Sequence, residues 1–494
     1  MKKLLCAIFA LALLISALSG CNVATNNESD ASVQATDAIN TKEELTSEGT
    51  EAPKAERFAI NGIEISEFTI VYSATALDYT ERAAIYIRDQ IELLTGITLE
   101  VLTDEAQATA LEHEIVVGET NRAISASLDA ETEGLSFALM ADDNHVAMEG
   151  DYFVIAAAAF YFIDTYIDDE PFAAEIAKEI SVCEPIVREA KNFIFLIGDG
   201  MGVNQTRLFE SLSADDIGAY SDGEGAFYGY MLPYIGSSRT NSLSGTTDSA
   251  AGGTALSTGF KTLNGHVGKD QDLNDVKSLT EFAIELGKST AVITTETKTG
   301  ATPAAFSAHA KDRDDTADIL ACQQMLMTEH GTHILGGYGN QYSERIINKV
   351  VEKDLENTLN ALSADEDGFF MMYEEAYIDK HSHSGELENT FRATLRFNQI
   401  IGRIMEFAFY NPNTFVIMTA DHETGGLTLG EDGKFFYTTG EHTSADVPVF
   451  AYGAGAEVFD GANVENVQIP KTIAKLWGID LAGYDNENYP SLIS

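Results

Sequence analysis

The chain has 494 residues, 45% of them hydrophobic and 40 of them glycine, enough for two or three domains around a sizeable core. Its 78 acidic residues outnumber 30 basic ones, giving a formal net charge of −48. Such a surface repels phosphate backbones, which argues against nucleic acid as a specific partner and fits the solvation of an exported protein.

The start of the chain reads as an export signal. Lys2 and Lys3 precede an apolar stretch over 4–18, shorter than a membrane span. Leu18-Ser19-Gly20-Cys21 then resembles a bacterial lipobox. That resemblance implies a signal peptide over 1–21, a lipid on Cys21 and an extracytoplasmic protein anchored to the bacterial membrane. Cys6 leaves with the signal, so Cys183 and Cys322 remain, and the sequence leaves their pairing open. Residues 22–56 are rich in Ser, Thr, Asn, Asp, Glu and Ala without a sustained apolar period, which predicts a disordered tether.

Residues 57–185 predict a small α+β domain. A strand is expected over 65–72, with Phe68, Ile70 and Tyr72 on one face. Thr80 is placed to cap a helix whose Ala84, Ile87, Ile91 and Leu94 share a face and which Gly96 ends. A strand over 114–117, a hairpin turning at Asp142-Asp143-Asn144 and an apolar helix over 152–167 follow. This element order, with the Ile115 to Arg122 stretch Ile-Val-Val-Gly-Glu-Thr-Asn-Arg, resembles the accessory domain ahead of catalytic domains in some bacterial glycoside hydrolases. It carries no catalytic constellation; His113 and His145 read as surface or strand-face residues.

Residues 186–494 alternate short, strongly apolar strands with helical stretches. Strands are expected over 193–197, 291–295, 369–373, 415–419 and 447–452. Near-continuous apolar runs suit a doubly wound, mostly parallel α/β sheet with helices on both faces, where sites form beyond the carboxyl ends of the strands. The polar groups of this chain lie at those ends. Asp199 follows the first strand between glycines, which let a metal ion approach. Asp248 is placed to cap a helix of small residues, leaving the Ser249 hydroxyl at its positive end. Thr302 offers a hydroxyl to a hard cation, and Arg313 a guanidinium fork that grips phosphate. Glu374 ends another strand. Asp379 and His383 follow, four apart and able to meet on one helical turn, while Asp421-His422 ends the next strand and His442 stands before the last. His381 reads as solvent-facing, and His266, His330 and His333 as surface or packing residues.

Taken in order, these motifs over about 191–455 resemble the alkaline phosphatase family. The resemblance implies two zinc ions and one magnesium. Asp379, His383 and His442 would hold the first zinc. Asp421, His422, Asp199 and Ser249 would hold the second. Asp199 would bridge to magnesium, shared with Thr302 and Glu374. Arg313 would clamp the phosphoryl group, and Lys380 would contact phosphate through water. The implied reaction is phosphomonoester hydrolysis through a phosphoserine at Ser249, with an alkaline optimum because zinc-bound hydroxide forms at fairly high pH. The implied partners are small-molecule phosphomonoesters and the membrane, and a homodimer is admitted. Three alternatives are weighed against it. A sulfatase needs a Cys-x-Pro-x-Arg type motif, absent around Ser249, and a diesterase usually lacks the Thr302 and Glu374 pair. An inactive surface-binding module would not need the full set of ligand residues. One departure stands out: two residues before Thr302, where the family usually has aspartate or histidine, this chain has Gly300, which is expected to loosen magnesium or change metal preference.

Overall fold

The computed structural model describes residues 58–128, 132–168, 172–211, 226–337, 344–479 and 489–493. The expected signal, Cys21 and the tether lie outside them. Two main sheets organise the chain. The first has strands β1 (Thr69–Tyr72), β2 (Val101–Thr103), β3 (Glu114–Val117), β4 (Phe137–Ala141), β5 (His145–Glu149) and β6 (Ser181–Cys183), in the order β2-β1-β3-β5-β4-β6. Helices α1 (Asp78–Thr95) and α2 (Val154–Phe162) cover one face.

Local details depart from the sequence expectation. Residues Ile65–Glu67 form a 3-10 turn, so β1 starts four residues later than expected. Helix α1 begins at Asp78, and Thr80 lies buried inside its first turn without capping it. Gly96 ends the helix as expected, at φ 72° in the left-handed region. The apolar stretch after Tyr152 ends in a π turn over Ile163–Ile167. Cys183 and Cys322 stand as free thiols.

The second sheet holds eight strands: β7 (Asn192–Gly198), β8 (Tyr234–Arg239), β9 (Ser289–Thr294), β10 (His333–Leu335), β11 (Phe369–Glu375), β12 (Thr414–Thr419), β13 (Val447–Tyr452) and β14 (Asn463–Glu465). Their order is β10-β9-β11-β7-β12-β13-β8-β14. All pairs are parallel except those of β13, which runs against both β12 and β8. In β7 the alternation of the pleat divides the side chains between two cores: Ile194 and Leu196 join one, and Phe193, Phe195 and Ile197 the other. Burial on both faces explains the unbroken apolar run.

The longest described helix that joins the two sheets is α6 (Leu387–Tyr410). One flank packs on the eight-stranded sheet and the other on α1 and α2. Phe409 touches both sides, with its ring 5.6 Å from Tyr452 of β13 and 5.9 Å from Phe153 just before α2. A Cβ at Gly402 would overlap the Tyr79 hydroxyl of α1, so only a glycine allows this approach. Arg82 of α1 donates two hydrogen bonds to Glu406, at 2.7 and 2.9 Å. A single continuous apolar core therefore runs from the first sheet through α6 into the second.

Candidate metal and phosphate site

The site lies at the carboxyl ends of β7, β9, β11 and β12. Helix α3 (Ser249–Thr258) starts there, with Asp248 as its N-cap: its side chain accepts from the Ala251 backbone N–H at 2.9 Å. All ten residues of α3 are buried. Its glycine pair makes this possible. A Cβ at Gly252 would stand 2.9 Å from the Asp421 carbonyl oxygen, and one at Gly253 would stand 3.2 Å from the Cα of Thr302. The helix is wedged between the Asp421 loop and helix α4 (Ala301–Ser307), and its first residue is the serine singled out by the sequence.

Three imidazoles face inward. His383, at the end of helix α5 (Tyr377–His383), presents Nδ1 to the Gly440 carbonyl at 2.7 Å. His442 presents Nδ1 to the Thr247 carbonyl at 2.8 Å. The Nδ1 of His422 lies 3.1 Å from the Thr424 hydroxyl, which donates to Asp379 at 2.5 Å. With each Nδ1–H engaged, each Nε2 keeps its lone pair for the site. The Nε2 atoms of His383 and His442 approach to 3.0 Å, and Asp379 Oδ1 lies 3.4 and 3.5 Å from them. The Nε2 of His422 lies 3.2 Å from Ser249 Oγ, 3.2 Å from Asp421 Oδ2 and 3.5 Å from Asp199 Oδ1. Converging lone pairs and carboxylate oxygens suit cations and little else. Among the described residues, two ligand groups meet the geometry of a metal site, Asp379 with His422 and His442, and Asp199 with Asp421 and His422.

The electrostatics agree. Burial, reinforced by the neighbouring Asp379 carboxylate, pushes Asp421 up to about 7. Burial and the Glu296 charge push Glu374 up to about 8. Asp199 is driven well above the usual carboxylate range by burial and by Asp421, Asp379 and Glu374. His422 is driven well below its ordinary value by burial and by the facing His442 and His383, so it is a neutral imidazole. Four oxygens, on Asp199 (Oδ1), Asp421 (Oδ2), Glu374 (Oε1) and Thr302 (Oγ1), are buried without a hydrogen-bond partner. Acids crowded in the dark of a protein interior, with orphaned oxygens, are stable only with positive charge among them. The donor set fits zinc at the imidazole end and a hard cation such as magnesium at the all-oxygen end.

The remaining expected residues are at hand. Arg313 lies beside α3, its guanidinium 3.4 Å from Asp248 Oδ2 and partly open to solvent. Lys380, on α5, pairs with Glu296 at 2.8 Å. His381 turns away to Glu386. Two participants were not singled out by the sequence reading. Thr424 links His422 to Asp379, and Glu296 pairs with Lys380 and fills the space in front of Gly300. Glu296 stands two residues beyond β9, so the strand-end rule itself carried the signal for it.

Comparison with known proteins points to one family. The alkaline phosphatase family model matches residues 190–351 and 345–440, together just over half of the chain. Alkaline phosphatase 3 of Bacillus subtilis is 26% identical over 412 residues, covering 58% of this chain and 89% of that protein. Alkaline phosphatase 4 of the same organism is 29% identical over 300 residues, covering 50% of this chain and 64% of that protein. The solved structure of alkaline phosphatase from the Antarctic bacterium TAB5 is 28% identical, with a TM-score of 0.50, and covers 58% of this chain and 98% of that one. On the sequence of its strand-end motifs, its eight-stranded sheet and these matches, the chain belongs to the alkaline phosphatase family.

Proposed function

We propose that the protein hydrolyses small-molecule phosphomonoesters through a phosphoserine at Ser249, with two zinc ions and one magnesium. The observation that carries this is the Ser249 hydroxyl, at the N-terminus of α3 and 3.2 Å from the neutral His422 Nε2 that both ligand groups surround. Asp379, His383 and His442 would hold one zinc. Asp421, His422 and Asp199 would hold the other together with Ser249, and Asp199, Thr302 and Glu374 would hold magnesium. Bound there, the metals supply Lewis-acid charge to the nucleophile and to the leaving oxygen.

Arg313 grips two phosphoryl oxygens and aligns phosphorus with Ser249. The Ser249 oxygen forms the new P–O bond as the ester P–O bond breaks, and the hydroxyl proton ends on the departing alkoxide. Water then attacks the phosphoserine, releasing phosphate and restoring the serine hydroxyl. Charge on the transferring group meets the α3 N-terminus and Arg313 throughout. Lys380, held by Glu296, adds a positive charge behind the phosphate position. The same proposal keeps the lipid on Cys21, which rests on sequence alone.

The test is turnover of p-nitrophenyl phosphate by zinc- and magnesium-loaded protein, beside its Ser249→Ala variant and with bis(p-nitrophenyl) phosphate as the diester control. The variant is expected to lose about a thousandfold or more in kcat while keeping its metal content. Equal rates would sink the serine mechanism, and a preference for the diester would overturn the monoesterase reading.

A further inference from the structure

Gly300 was expected to leave the magnesium pocket short of a side chain. In the structure that space is filled. A Cβ at position 300 would overlap the carboxylate of Glu296, which reaches back across the turn between β9 and α4 to occupy the place a residue-300 side chain would take. The Glu296 backbone is tied down by its N–H, which donates to the Thr294 hydroxyl at 3.1 Å, and that hydroxyl in turn donates to Glu374. Its other carboxylate oxygen pairs with Lys380 at 2.8 Å. Its charge reaches Glu374, whose Oε1 is buried without a hydrogen-bond partner.

We propose that Glu296 is the positioning residue of the magnesium pocket, supplying from the end of β9 the negative charge that position 300 lacks and holding Lys380 toward the phosphate. This deepens the three-metal reading and rests on it. The glycine and the glutamate then form one device: the missing side chain at 300 is what lets the carboxylate of 296 in. Position 300 has φ −54°, so an alanine there meets no backbone strain and acts only by evicting the Glu296 carboxylate.

The experiment uses the full chain loaded with zinc. Magnesium is titrated back and its affinity read from the rise in Tm and from retained metal by elemental analysis. Glu296→Gln and Gly300→Ala are each expected to weaken magnesium about 10- to 100-fold. Their combination should be no weaker than either alone, because both remove the same charge from the same place. Glu296→Ala combined with Gly300→Asp should recover the affinity, since the new carboxylate enters the vacated space. Wild-type affinity in either single variant, or additive losses in the pair, overturns the role of Glu296 alone. A wild-type protein that retains zinc but no magnesium overturns the three-metal reading and this inference with it. The Tm of each variant without magnesium reports folding separately, so a Glu296 variant that fails to fold leaves Gly300→Ala to decide.

Discussion

Asp248 joins folding to substrate binding within one carboxylate. One oxygen caps α3 through the Ala251 N–H; the other accepts from the Gly265 N–H at 2.9 Å and faces Arg313 at 3.4 Å. The two duties separate by substitution. Asp248→Asn keeps the cap through its one amide oxygen but loses the charge facing Arg313 and the bond from the Gly265 N–H, so kcat/KM for p-nitrophenyl phosphate should fall on the order of tenfold and stability by about 1 kcal/mol. Asp248→Ala should lose the cap too, about 1–2 kcal/mol of stability in urea unfolding. An Asn variant as unstable as the Ala variant would show that the Gly265 and Arg313 contacts of the second oxygen, not the cap, carry the stability. At this scale the sequence was most legible. Asp199, Ser249, Asp421 and His422 sit at strand ends or a helix start, Asp379 and His383 share the short helix α5 just after β11, and His442 stands shortly before β13, where turn chemistry and residue type are local facts. Thr424 and Glu296 also lie just beyond strand ends, but what they hold there depends on which strand ends are neighbours, and that is set by sheet order, not by spacing along the chain.

Between neighbouring residues of β11 the pleat sends Glu374 to the metal pocket and Glu375 to the opposite face. Glu375 is fully buried and receives Arg396 of α6 through two hydrogen bonds, at 2.6 and 2.5 Å, with further donation from Thr295 at 3.1 Å and the Tyr377 N–H at 3.0 Å. The backbone carbonyl of Glu375 accepts from the Asp199 N–H at 3.1 Å, so the pair also fixes the end of β7. Thus α6 braces the strand ends that carry Glu374 and Asp199. Arg396→Ala leaves a buried carboxylate without its cation and should cost about 3–5 kcal/mol in urea unfolding. Adding Glu375→Ala should return a large part of that loss; if it does not, the packing of the Arg396 stem matters more than its charge. The strands around β7 were readable from apolar runs. Strands β8, β10 and β14 were not, because Tyr234–Arg239 is mostly half-buried and the other two are three residues long, too short for a period to show. The reversed direction of β13 was equally hidden, since an apolar run has no direction.

Over the whole molecule, the continuous core through α6 couples the site to global unfolding. The Tyr86 and Tyr410 rings stack at 4.2 Å, Phe153 reaches Phe409, and Arg82 reaches Glu406, so neither sheet can open without exposing the other. Unfolding is therefore expected to be one cooperative transition whose midpoint feels the titration of the metal pocket. In metal-free protein Glu374 titrates at about 8 and Asp421 at about 7, both above their ordinary values of 4.5 and 3.8. A carboxyl whose pKa rises on folding holds more protons folded than unfolded. Its penalty is absent below the unfolded pKa, grows as pH rises, and is complete above the folded pKa. Metal-free protein should accordingly lose Tm between about pH 4 and 8, by on the order of 5 °C or more. Zinc and magnesium compensate the same charges, and because their binding displaces those protons, the gain in Tm on adding them should grow over the same range. Surface repulsion from the net charge of −48 would also lower Tm toward high pH, but salt screens it and does not screen buried acids. Differential scanning calorimetry of metal-free and loaded protein at pH 5 and 8, in low and in about 0.5 M salt, separates the two. A fall that survives high salt and vanishes with metal belongs to the pocket; a fall that high salt abolishes belongs to the surface and would remove the buried carboxyls from the account.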